Sequence, residues 1–154
     1  MNYKHALSSP IFEIISKSTE ELGFDSYVIG GFVRDFILDH CSKKDIDIVA
    51  TGSGIELAKH VSKKLPSNPK VQIFKTYGTA MIKHEGIDIE FVGARKESYE
   101  KDSRNPIVEN GSLEDDQNRR DFTINAMAIS LNTASYGELL DPFKGISDIK
   151  SKSI

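Results

Sequence analysis

Two short acidic segments carry the residue types best suited to chemistry. Asp45-Ile46-Asp47 and Asp88-Ile89-Glu90 each hold two carboxylates two residues apart. On a β-strand such residues emerge on one face, so Asp45 and Asp47 project together while Ile46 and Ile48 face a core. Their Cα atoms stand roughly 6.6 Å apart on an extended strand, close enough to share one or two divalent cations. Hard oxygen donors in this pattern suit Mg²⁺, which keeps several waters and takes substrate phosphates as further ligands. Asp88 and Glu90 repeat the alternation against Ile87, Ile89 and Phe91. A lone Asp-x-Asp is more often a solvated strand face. Two such strands side by side would set three or four carboxylates around one cavity, a concentration of like charge that is costly unless cations neutralise it.

Two further segments could serve an anion. Gly30-Gly31 follows the apolar run Tyr27-Val28-Ile29 and precedes a helical pattern. Glycines at a strand-to-helix turn let a ligand approach the backbone, and the first turn of a helix offers N–H groups to a phosphate. The alternative is a tight turn that needs positive φ. The segment lacks the Gly-Lys-Ser/Thr of a Walker loop and the spacing of a dinucleotide turn. Arg34, one turn into that helix, could add bidentate phosphate contacts. Its neighbour Asp35 reads as a brace for the site or as a response to the helix dipole. Arg119-Arg120 stands early in the segment Asn118–Leu131, which reads as a helix, where cations oppose the dipole. A bound polyanion would account for the pair, and so would neutralisation by Asp115, Asp116 and Asp121.

Other chemistries find little support. His5, His40, His60 and His84 are scattered and Cys41 is the single cysteine, which argues against a zinc site and an internal disulfide. No Ser/His/Asp or Cys/His grouping suggests itself, and the tyrosines are too dispersed for a base-stacking platform.

The elements that must position these groups follow from periodicity. Ile11, Ile14, Ile15, Ser18 and Leu22 define an amphipathic helix over Ser8–Leu22, stopped by Gly23. Phe32–His40 reads as a second helix. Ser53-Gly54-Ile55-Glu56 is a capping-box pattern that opens a third, with Leu57, Val61 and Leu65 on one face. Strands are predicted at 27–29, 45–50, 71–74, 79–83 and 87–92, with a short one within 137–141. The polar stretch 95–117 reads as a long loop, and Asp148–Ile154 as the start of another helix. These elements predict an α+β or α/β domain with a mixed sheet of about five strands and helices on one side.

The chain has 154 residues, with 20 Lys+Arg against 23 Asp+Glu and a net charge of −3. That length suits one domain, and 38% hydrophobic residues provide for a core. The acidic balance argues against a stand-alone nucleic-acid binder, because such domains carry a basic surplus to displace counterions. No apolar run is long enough to span a membrane, and the polar start lacks a signal core, so a soluble cytoplasmic domain is expected.

Taken in order, Gly30-Gly31-Phe32-Val33-Arg34-Asp35, Asp45-Ile46-Asp47, Glu90 ahead of Arg95, and Arg119-Arg120-Asp121-Phe122-Thr123-Ile124-Asn125-Ala126 resemble one family. It is the head domain of the class II tRNA CCA-adding nucleotidyltransferases and bacterial poly(A) polymerases, within the DNA polymerase β superfamily. The resemblance spans roughly residues 25–150, and Asp141-Pro142-Phe143-Lys144-Gly145 fits its later segment. It implies a catalytic head over 1–150, with 151–154 opening a neck helix. It also implies that Asp45 and Asp47 hold Mg²⁺, with Glu90, and not Asp88, as the third catalytic carboxylate. Gly30, Gly31 and Arg34 would contact CTP or ATP, Arg120 would clamp the phosphates, and a loop over 97–112 would lie near the site. The implied reaction adds CMP and AMP to the tRNA 3′ end with release of pyrophosphate. The family's neck motif, Glu-Asp-x-x-Arg-x-x-Arg, does not occur before Ile154, so groups that read the base and hold tRNA are expected elsewhere. A poly(A) polymerase head and a catalytically silent nucleotide- or RNA-binding module are the competing readings.

Overall fold

Ile11, Phe12 and Ile15 build the first helix, α1 (Pro10–Leu22), and all three are buried. Pro10 stands at its start, where a missing N–H is no loss, and Gly23 ends it in the left-handed conformation. The structure is a computed structural model. It describes residues 7, 9–37, 45–74, 78–93, 95–99, 106–110, 126–141 and 145, with 95–99 and 106–110 described as backbone only.

The chain continues through β1 (Ser26–Ile29), α2 (Gly31–Ile37), β2 (Asp45–Ala50), α3 (Gly54–Lys64), β3 (Gln72–Phe74), β4 (Thr79–His84) and β5 (Ile87–Gly93). Then follow β6 (Arg95–Tyr99), β7 (Pro106–Asn110), β8 (Ala128–Ser130), a single 3-10 turn at Thr133–Ser135, and β9 (Leu139–Leu140). Seven strands form one mixed sheet in the order β3-β4-β5-β2-β1-β8-β9. Among the described strands only β2 and β5 run parallel; α3 and the β3–β4 hairpin supply the crossover that a parallel pair requires.

The two faces of the sheet differ. One is covered by helices: Ile46, Ile48, Ala80, Ile82, Ile89 and Phe91 join the α1 residues and Leu57, Ala58 and Val61 of α3 in the main core. The other carries a smaller buried group, Ile29, Val49 and Ala128, flanked by Tyr27 and Leu140. Of the expected capping box the Ser53 half is present, with Ser53 Oγ accepting from the Glu56 N–H at 3.2 Å. Gly54 lets α3 start flush against β5, since a Cβ there would come within 2.7 Å of the Phe91 carbonyl oxygen.

Two readings of the sequence need correction. Ala128–Ser130, expected in a helix, is strand β8, paired antiparallel with β1 and lying between β1 and β9. Every residue from Ala126 to Leu131 is buried. A short apolar run covered on both faces has no amphipathic period, so periodicity cannot tell strand from helix there. Together with β9, inside the expected 137–141 strand, β8 raises the sheet from about five strands to seven. The stretch 95–117, expected as a loop, contains the separate β6–β7 ladder, from Arg95↔Asn110 to Tyr99↔Pro106. Backbone pairing of this kind needs no apolar alternation, which is why a polar sequence concealed it. Residues 38–40, 118–125 and 148–154 of the expected helices lie outside the described residues.

Candidate active site

The carboxylates are gathered by one register. In the parallel pair β2–β5, Asp45 stands beside Asp88 and Asp47 beside Glu90. Directly paired residues share a face, and neighbouring strands lie about 4.8 Å apart. Ile46, Ile48, Ile89 and Phe91 are committed to the helix-covered core. All four carboxylates therefore emerge on the opposite face, as the alternation predicts. Asp45 and Glu90 are exposed, and Asp47 and Asp88 are half-buried.

The glycine turn adjoins the same place. Ile29, the last residue of β1, pairs with Asp47 on one side and Ala128 on the other. Gly30 follows with φ of +79°, a conformation open to glycine at little cost. Its N–H donates to the Met127 carbonyl at 3.3 Å, and its own carbonyl accepts from the Arg34 N–H at 3.1 Å. The turn is thus fixed between β8 and the first bond of α2. β1 itself is pinned by the Ser26 N–H, which donates to Asn132 Oδ1 at 2.8 Å. Arg34 and Asp35 form an ion pair, Nε to Oδ1 at 3.1 Å.

The two acids of β5 have different surroundings. Lys83, opposite Asp88 on β4, brings its Nζ to 3.9 Å from Asp88 Oδ1. That is an ion-pair distance, too long for a hydrogen bond, and Asp88 Oδ1 lies buried without a hydrogen-bond partner. Glu90 stands opposite Met81 instead. Four hard carboxylate groups on one face, one with a sheltered and unbonded oxygen, are a donor set that fits a magnesium-type cation. Among the described residues no three acidic, His or Cys groups already stand close enough to form a finished cage. The fit therefore rests on donor chemistry and register.

Of the expected site residues, Gly30, Gly31, Arg34, Asp45, Asp47 and Glu90 fall at one end of the β1–β2–β5 portion of the sheet. Arg119 and Arg120 lie outside the described residues. Sequence reasoning missed Met127 as the partner that fixes Gly30. The signal was the uninterrupted apolar run from Ala126 to Ile129, which suits a buried strand as well as a helix.

A mixed sheet with helices on one face, and with paired acidic strands beside a Gly-Gly turn on the other, is the arrangement of a nucleotidyltransferase head. Residues 26–154 match the poly A polymerase head domain, and the chain belongs to that family. It is 45% identical over 129 residues to an A-adding tRNA nucleotidyltransferase from Aquifex aeolicus (strain VF5), a match covering 84% of this chain and 15% of that protein. The fold superposes on a CCA-adding enzyme in its apo form II with a TM-score of 0.84 and 34% identity, over 98% of this chain and 37% of that one. It superposes on a tRNA nucleotidyltransferase complexed with a primer tRNA and an incoming ATP analog with a TM-score of 0.76 and 39% identity, over 90% and 37%. The chain thus spans between about one seventh and somewhat over one third of the length of these proteins. Among the described residues no helix is long and apolar enough to cross a membrane.

Proposed function

We propose that this chain is the catalytic head of a tRNA nucleotidyltransferase, which transfers CMP or AMP from CTP or ATP to the 3′ end of tRNA. The observation that carries the reading is the parallel β2–β5 register, which sets Asp47 beside Glu90 next to the Gly30–Gly31 turn. Asp45 and Asp47 hold Mg²⁺, with Glu90 as the third carboxylate at the site. Bound there, Mg²⁺ supplies neutralisation of phosphate charge and a lowered pKa for the attacking hydroxyl.

The chain's own residues do the rest. Gly30 and Gly31 let the triphosphate lie against the backbone, and Arg34 and Arg120 balance charge on the β- and γ-phosphates. The RNA 3′-oxygen bonds to the α-phosphorus, the bond to the bridging oxygen of the β-phosphate breaks, and pyrophosphate leaves. The hydroxyl proton passes to solvent. The names of the relatives divide between A addition and CCA addition. The head groups assigned here meet phosphates, which CTP and ATP share, so base choice rests with groups outside this face. Action on tRNA supports a cytoplasmic location.

The reading is tested by supplying the full-length protein with CTP and ATP on a tRNA ending before its CCA and on an unrelated RNA. A short addition confined to tRNA supports it. Repeated AMP addition to any RNA end establishes the poly(A) polymerase reading instead, and no transfer at all leaves a silent nucleotide-binding head. Arg120→Ala should weaken CTP and ATP binding by a similar factor, about 10- to 100-fold, as expected for loss of a charged hydrogen bond. Equilibrium binding of both nucleotides checks this, and a loss confined to one nucleotide contradicts a phosphate contact.

A further inference from the structure

We infer that Asp35 is a positioning residue that holds the Arg34 guanidinium against the Gly30–Gly31 turn, so that the arginine meets the triphosphate already oriented. The inference rests on the nucleotide site proposed above and goes beyond it, since nothing in that proposal requires Asp35.

The geometry supplies two observations on one guanidinium. Asp35 Oδ1 accepts from Arg34 Nε at 3.1 Å. Consecutive helical residues point about 100° apart and do not ordinarily face each other, so the pair forms only because both side chains bend together. In addition, a Cβ built on Gly31 would lie 3.4 Å from Arg34 Nη2 and 4.0 Å from its Cζ. The end of the guanidinium therefore rests over the bare Cα of Gly31. An arginine side chain has many rotamers to lose, and a planar fork acts on a phosphate only when its plane and direction are set. Asp35 sets them through Nε, the one guanidinium nitrogen that a bidentate contact through the two terminal nitrogens does not use. The Asp35 side chain is 18% exposed, against 34% for Arg34, so the brace is the more sheltered member.

Charge alone predicts the opposite of positioning, which makes the idea testable. A carboxylate near a triphosphate repels it, so removing Asp35 would tighten binding if the residue acted only through its own field. Positioning predicts that Asp35→Ala weakens Mg·ATP binding by about three- to tenfold, the scale of a partly exposed ion pair. AMP, which lacks the β- and γ-phosphates, should be affected far less.

The decisive measurement is a double-mutant cycle with Arg34→Ala, read by equilibrium binding of Mg·ATP and AMP to the full-length protein, with thermal melts as a check on folding. With Arg34 replaced, Asp35→Ala should no longer weaken ATP binding and should leave it equal or tighter. Asp35→Glu should restore part of the loss in the parent background. Additive losses, equal losses for ATP and AMP, or tighter ATP binding by Asp35→Ala alone would each overturn the inference. A parent chain that binds no Mg·ATP would overturn the nucleotide site itself.

Discussion

Asp47→Ala should lower nucleotide transfer by the full-length protein roughly 1,000-fold, about 4 kcal/mol of barrier, while the fold survives. Asp47 lies where the site's elements meet: Glu90 is its partner on β5, Ile29 its partner on β1, and the Gly30 turn follows at once. On the proposed reading, a lost carboxylate there removes a cation ligand that the neighbouring acids cannot replace without moving a strand. Asp45→Ala should behave alike, because Asp45 projects from the same face of β2. Removing one of four like charges also relieves repulsion in the cation-free protein, so its melting temperature should not fall by more than a few degrees. Single-turnover assays alongside thermal melts separate the two effects. Turnover within tenfold of the parent would remove Asp47 from the chemistry.

The second large effect falls on stability and has its origin on the opposite face of the same strand. Phe91 is fully buried and belongs to the helix-side core, while Glu90 before it faces the open side. Phe91→Ala should destabilise the fold by about 3–5 kcal/mol through lost burial and the cavity left behind. In a chain of this size that lowers the melting temperature on the order of 10 °C. Phe91→Leu, which refills most of the volume, should cost about 1.5 kcal/mol or less. At temperatures where Phe91→Ala is still folded, its activity should fall far less than that of Asp47→Ala. The phenylalanine holds the strand, and the proposed site assigns the chemistry to the carboxylate. A shift in melting below about 2 °C would show that the β5–helix packing is wrong.

These two residues also mark how far the sequence could be read. The alternation of Asp45-Ile46-Asp47-Ile48 and of Ile87-Asp88-Ile89-Glu90-Phe91 specified strand, core face and acidic face together, because a period of two admits no other assignment. The Ser53–Glu56 cap and the Gly23 stop were equally legible, since each depends only on residues within one turn of the chain. Where local pattern was degenerate, reading failed. The buried run at Ala128–Ser130 suits strand or helix, and the largely polar β6–β7 ladder offers only Tyr99 and the Ile107-Val108 pair, too little to show an alternation.

The sequence by itself therefore determined which residues carry groups suited to a cation or a phosphate, and on which face of its own strand each carboxylate of β2 and β5 stands. Tertiary structure decided which strands lie side by side. The parallel register that puts Asp47 beside Glu90 and the bond from Gly30 to Met127 join segments far apart in the chain. Such pairings depend on how a whole sheet buries its apolar face at once, a global balance that no local stretch of sequence encodes.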